Sequence, residues 1–124
     1  MAKERLSFKE MCARFDVTPR TLRHYEYVEL LAPEREGRSR FYTARDIARM
    51  TLILRGRRFG FSLEEMRQWL EMRENQGTKT QIGVAIDATE RQLEVLKDQR
   101  DELNTTIEDL EKLREEMREI LKKS

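Results

Sequence analysis

The sequence predicts a mainly α chain: a small winged helix-turn-helix head over residues 1–76, then a single long helix over residues 77–124 that pairs with another copy. Three observations carry this reading. Two short capped helical segments meet at Asp16-Val17-Thr18-Pro19, an arginine-bearing hairpin pattern fills Ala32 to Thr43, and an apolar stripe with a period of about 3.5 residues runs from Ile82 to Leu121.

The first helix is expected to start at Ser7. Ser7 can accept from the backbone three residues on, Glu10 can answer it, and Phe8, Met11, Cys12 and Phe15 recur at helical spacing, which puts Cys12 in the core. Asp16-Val17 should end that helix. Thr18 then offers a new N-cap with Pro19 at the first helical position, where a missing N–H costs nothing. The second helix carries Arg20 to Glu26, with Leu22 inward and Arg20, Arg23 and His24 outward, which is the order of a helix-turn-helix and its recognition helix.

Between Leu31 and the next helix, Pro33, Gly37 and Ser39 separate two short extended runs, predicting a hairpin that displays Arg35, Arg38 and Arg40. Phe41 is expected in the core and Tyr42 half-exposed. Thr43, with Asp46 at the third position, predicts a third helix whose inward stripe is Ile47, Met50, Thr51 and Leu54, interrupted at Gly56 and Gly60. Ser62 and Glu65 predict the cap of a fourth, with Leu63, Met66, Trp69 and Leu70 on its apolar face and Asn75-Gln76-Gly77 as its end.

Thr78 and Gln81 form one more capping box, and no proline follows, so the last helix runs for roughly 60 Å. Steps of four and three from Ile82 visit Ile86, Thr89, Leu93, Leu96, Arg100, Leu103, Ile107, Leu110, Arg114, Met117 and Leu121. Nine of these twelve positions are apolar, and charged residues fill the faces between. The head is too small to cover such a stripe, so a coiled-coil partner is expected, most simply the same helix of a second copy; folding back onto the head is the competing arrangement. Ile86, Leu93, Leu96, Leu103, Ile107, Leu110 and Met117 are the expected seam.

Charge divides along the same line. Up to Arg73 the chain holds 16 Lys/Arg against 11 Asp/Glu, and beyond it 9 against 13, although the whole is only +1. A locally basic head suits a polyanion such as double-stranded DNA, because phosphate attraction responds to local rather than total charge; ordinary surface charge is the plainer account. Arginines on a recognition helix and a wing tilt the balance. Arg20 and Arg23 could grip base edges, Tyr25 could reach a phosphate, and Arg38 and Arg40 could follow the backbone or enter a minor groove.

Other chemistries find little support. Cys12 and His24 are the only cysteine and histidine, too few for a disulfide, a structural metal site or a triad. Methionines 11, 50, 66 and 117 lie on apolar stripes and read as packing. No nucleophile-base pair or phosphate loop is present, so no enzyme and no cofactor is expected. Without a signal h-region or a membrane span, a reducing cytoplasm is the expected setting.

Four motifs in order over the first 73 residues resemble the MerR family of bacterial regulators: Phe15 to Glu26, Leu30 to Arg35, Arg40-Phe41-Tyr42, and Phe59 to Glu65. The resemblance implies a homodimer joined by an antiparallel coiled coil, bound to promoter DNA and distorting it so that RNA polymerase can engage. It implies DNA contacts at Arg20, Arg23, His24, Tyr25, Arg38, Arg40 and Tyr42, with His24 where tyrosine is frequent and Glu29 where glycine is frequent. Residues 75–81 hold no cysteine, so the likeness is to short members without a separate effector domain. The run Leu52 to Leu63 also resembles a subgroup linked to branched-chain amino-acid and acyl-CoA breakdown. A different class, a coiled-coil protein that organises DNA without sequence preference, would be told apart by a low specificity ratio.

Overall fold

In a computed structural model that describes residues 4–124, the element order is β1 (Arg5–Ser7), α1 (Phe8–Phe15), α2 (Pro19–Tyr27), β2 (Glu34–Glu36), β3 (Ser39–Thr43), α3 (Ala44–Phe59), α4 (Leu63–Glu74) and α5 (Lys79–Lys123). The described residues divide into two compact units, one ending at Ile82 and one spanning Gly83–Ser124.

The helix starts follow the local chemistry. Ser7 with Glu10 and Ser62 with Glu65 form complete capping boxes on α1 and α4, and Thr78 and Gln81 bond reciprocally at the head of α5. Thr18 accepts from the Thr21 N–H, with Pro19 opening α2. Such caps satisfy backbone donors that a helix start leaves unpaired, each worth about 1 kcal/mol.

Thr43 is the exception. It occupies the N-cap position of α3, yet its side chain makes no cap bond. Asp46, expected to complete that start, is fully buried and accepts instead from the Ala32 N–H at 3.2 Å. The chain leaving α2 presents a backbone donor at the edge of the core, and the buried carboxylate meets it. Burial, its largest influence, pushes the Asp46 carboxyl above its ordinary range despite that bond and the nearby arginines.

Three helices end in the same way. Val17 donates to Cys12 and Asp16 to Ala13; Leu30 to Tyr25 and Glu29 to Glu26; Phe61 to Gly56 and Gly60 to Arg57. These paired bonds define Schellman ends, which require a left-handed residue. Asp16 (φ 52°), Glu29 (φ 64°) and Gly60 (φ 96°) supply it.

A strand not anticipated before Ser7, β1, pairs antiparallel with β3, which also pairs with β2 and so lies at the centre of a three-stranded sheet. Three residues show no alternation that a sequence pattern could reveal. The β1 register sets Leu6 opposite Tyr42, and Tyr42 goes fully inside while Phe41 is only half-buried beneath the Arg5 guanidinium, 4.0 Å from the ring centroid. This reverses the exposures expected for the two aromatics. The hairpin turns through Gly37-Arg38, where Gly37 has φ 62°.

The core gathers Met11, Leu22, Tyr25, Leu30, Leu31, Tyr42, Ile47, Met50, Ile53, Met66 and Leu70, with Cys12 half-buried at its edge. Fully burying such side chains stabilises the head by about 1.5–3 kcal/mol each. On α3 the inward face is Ile47, Met50 and Ile53, with Thr51 exposed and Leu54 half-buried, a correction to the expected stripe. Gly56 does not interrupt α3. It lies buried inside the helix, and an added Cβ there would fall 2.0 Å from the Met66 sulfur, so its bare backbone lets α4 approach. Arg49, 5% exposed, donates to the Leu30 carbonyl at 2.7 Å and pairs with Glu74 at 2.8 Å, tying α3 to α4 and to the end of α2.

The last helix is one uninterrupted run of 45 residues. From Leu93 onward every residue is exposed. Leu93, Leu96, Leu103, Ile107, Leu110 and Met117 keep 38–63% of their surface, and Ile86 keeps 53%. Among the described residues, no helix is long and apolar enough to cross a membrane.

Candidate nucleic-acid interface

The two parts expected to meet DNA are joined through a ring and a carboxylate. Phe8, half-buried at the start of α1, has the Arg23 guanidinium from α2 and the Arg40 guanidinium from β3 over its ring, each 5.2 Å from the centroid. Cation–π attraction to one shared ring therefore brings a recognition-helix arginine and a wing arginine together.

Glu26 is the second junction. Its side chain is 11% exposed, and its Oε1 lies 3.3 Å from Arg40 Nε and 3.7 Å from Arg35. The Tyr42 phenol donates to Oε2 of the same carboxylate. The Arg40 Nε is buried and makes no hydrogen bond, so its approach to Glu26 is off the N–H direction and the attraction is between charges. Burial first, and Glu26 second, push the Tyr42 phenol far above the ordinary tyrosine range and keep it a donor.

On the opposite face of the sheet, Arg5 reaches across β3 to pair with Glu34 and Glu36 on β2. The wing is thus held from both sides: by Glu26 beneath and by Arg5 above.

Of the seven residues expected at DNA, Arg20, Arg23, His24 and Arg38 are exposed and Arg40 is half-buried. Arg20 and Arg38 form no ion pair among the described residues, which leaves their guanidiniums available. Arg38 occupies the tip of the wing turn. The two tyrosines differ. Tyr25 is 7% exposed and Tyr42 wholly buried. Tyr42 is wholly buried rather than half-exposed: its place opposite Leu6 turns it inward and its hydroxyl donates to Glu26.

Sequence patterning overlooked Glu26 and read Phe8 only as core. A signal existed, since Glu26 is the sole acid of α2, but an acid amid arginines looks like charge dilution until the hairpin folds over it. Among the described residues, no cluster of His, Cys, Asp or Glu could hold a metal ion.

Comparison with known proteins agrees with this architecture. Residues 6–73 match the model of the MerR HTH family regulatory proteins, and residues 47–120 match a second model, described as MerR, DNA binding. A curated relative, the HTH-type transcriptional regulator ZntR of Escherichia coli K12, is 39% identical over 66 residues, covering 52% of this chain and 47% of the relative. The chain thus matches about half the length of that relative. Among solved structures, a MerR family transcriptional regulator from Bacillus cereus superposes with a TM-score of 0.72 at 27% identity, covering 88% of this chain and 79% of the other. HiNmlR, a MerR family regulator lacking the sensor domain and bound to promoter DNA, shares the fold with a TM-score of 0.66 at 24% identity, covering 87% and 86%. With both family models matching more than half of the chain, and with capped helices, wing and long helix in the same order, this protein belongs to the MerR family of HTH regulatory proteins.

Proposed function

We propose that the protein is a homodimeric, sequence-specific transcriptional regulator that binds and distorts promoter DNA. In this reading α2 enters the major groove with Arg20, Arg23 and His24, while Arg38 and Arg40 of the wing follow the phosphate backbone. Tyr25 and Tyr42 shape that surface from below. The head spans residues 1–76, and residues 77–124 form the dimerisation segment. Two copies pair antiparallel along Ile86, Leu93, Leu96, Leu103, Ile107, Leu110 and Met117, and the bent operator presents itself to RNA polymerase.

The supporting observation is the shared Phe8 ring, which groups cations of the recognition helix and the wing. Exposed leucines along α5 support the pairing, because a stripe of that length stays in water unless a second helix covers it.

Selection of random duplex DNA by the purified full chain at near-physiological salt tests the proposal. An inverted repeat with fixed half-site spacing is the expected product. Recovery of unselected sequence despite measurable binding would replace it with a non-specific DNA-organising role.

A further inference from the structure

Arg35 and Arg40 stand directly opposite each other in the β2–β3 ladder, so their side chains leave the same face of the sheet. Like charges in that position repel, and a wing built this way would splay or seek an anion. The anion is internal: one oxygen of Glu26 lies 3.7 Å from Arg35 and 3.3 Å from Arg40. Its other oxygen takes the phenol of Tyr42, two residues from Arg40 on the same strand. Glu26 itself is carried by α2, one turn after Arg23.

From this arrangement, and resting on the DNA-binding reading above, we infer that Glu26 is a specificity-determining positioning residue: its carboxylate stands in for a phosphate between Arg35 and Arg40 and locks the wing to the recognition helix. The wing and α2 then reach DNA as one rigid unit, so a phosphate bound by the wing fixes where Arg20 and Arg23 fall on the bases. The same carboxylate also offsets part of the positive charge that Arg35 and Arg40 would otherwise offer to any phosphate, which lowers affinity for arbitrary sequence. Arg35 keeps 59% of its side chain exposed and Arg40 26%, so the pair with Arg40 is the better shielded from solvent.

The test compares wild type with Glu26→Gln, a substitution of equal size that keeps an oxygen for Tyr42 and removes the charge. The full chain is titrated against its selected duplex and against a scrambled duplex over a range of salt. For Glu26→Gln, affinity for the scrambled duplex should rise and its salt slope steepen by about 0.9 for each additional phosphate that the freed arginines neutralise. The ratio of specific to scrambled affinity should fall by about tenfold or more. A purely structural role predicts something else: parallel weakening on both duplexes, a lower melting temperature and no steeper slope. That result would overturn the inference.

Arg35→Ala, at an exposed position that does not threaten folding, supplies a second reading. Because Glu26 already engages Arg35, the wild-type salt slope should change by well under the roughly 0.9 that one neutralised phosphate contributes. A change of that full size would refute the pairing. If the wild type binds neither duplex, the DNA-binding reading fails, and that outcome is distinct from failure of Glu26 as a positioning residue.

Discussion

The phenol of Tyr42, wholly buried on the central strand of the sheet, donates its hydrogen bond to the Glu26 carboxylate on α2. This bond crosses from wing to helix inside the head. Removing the hydroxyl in Tyr42→Phe leaves a shielded carboxylate oxygen short of a donor. Hydrogen bonds to charged groups contribute about 1.5–3 kcal/mol, so urea unfolding should show a loss in that range. An unchanged midpoint would mean that the bond adds nothing in solution.

Glu74 feels two opposed influences. Burial raises its carboxyl pKa, but hydrogen bonds and charge attraction from Arg49 and Arg45 outweigh that and hold it below the ordinary carboxylate value. A depressed folded pKa means that the group contributes stability above its unfolded value of 4.5, and that this contribution disappears as pH falls through the lower folded value. Glu74→Gln should therefore lower stability near neutral pH by about 1 kcal/mol, a figure discounted for its partial exposure. At pH values below the folded pKa the variant and wild type should converge. Thermal melts at several pH values check this, and a constant difference down to acid pH would remove the ion pair as the cause.

Glu29 sits in the left-handed region with φ 64°, at the Schellman position where glycine carries no steric penalty. Its side chain is exposed. Glu29→Gly should stabilise the head by about 0.5–1 kcal/mol, the relieved strain exceeding the added chain entropy of the unfolded state. Equilibrium unfolding that shows destabilisation would mean that Glu29 makes a compensating interaction.

Leu103 lies mid-way along the proposed seam and is 60% exposed in the single chain. Leu103→Glu should convert the dimer to monomer in sedimentation and abolish tight operator binding, since each half-site alone gains too little. A variant that still sediments as a dimer would relocate the interface.

Arg20 is exposed in the first turn of α2 and forms no ion pair among the described residues. Arg20→Ala should weaken binding to the selected duplex by about 1–3 kcal/mol if it grips a base, and relax preference at that position. Equal weakening on every sequence would assign it to phosphate.

Much of the fold was readable from local chemistry. Ser7-Glu10, Thr18-Pro19, Ser62-Glu65 and Thr78-Gln81 announce helix starts because each cap is satisfied within four residues. The apolar stripe of α5 is likewise a property of spacing alone, as are the exposed arginines at 20, 23 and 38. What lay beyond reach depends on partners distant along the chain. Alternation along Ser39–Thr43 has two possible phases, and only pairing with β1, some 35 residues earlier, turns Tyr42 in and Phe41 out. The same holds for the polar core: Asp46 looked like part of a helix start until Ala32 presented an N–H, and Glu26 drew no reading of its own until the hairpin laid Arg35, Arg40 and Tyr42 against it. By itself the sequence determined where the helices begin, and that a basic head precedes a helix with an unsatisfied stripe, because those outcomes rest on neighbours within a turn or two. Only the tertiary structure decided which aromatic is buried and which charges are spent inside the protein, because desolvation and ion pairing are set by groups that meet only once the chain has closed on itself.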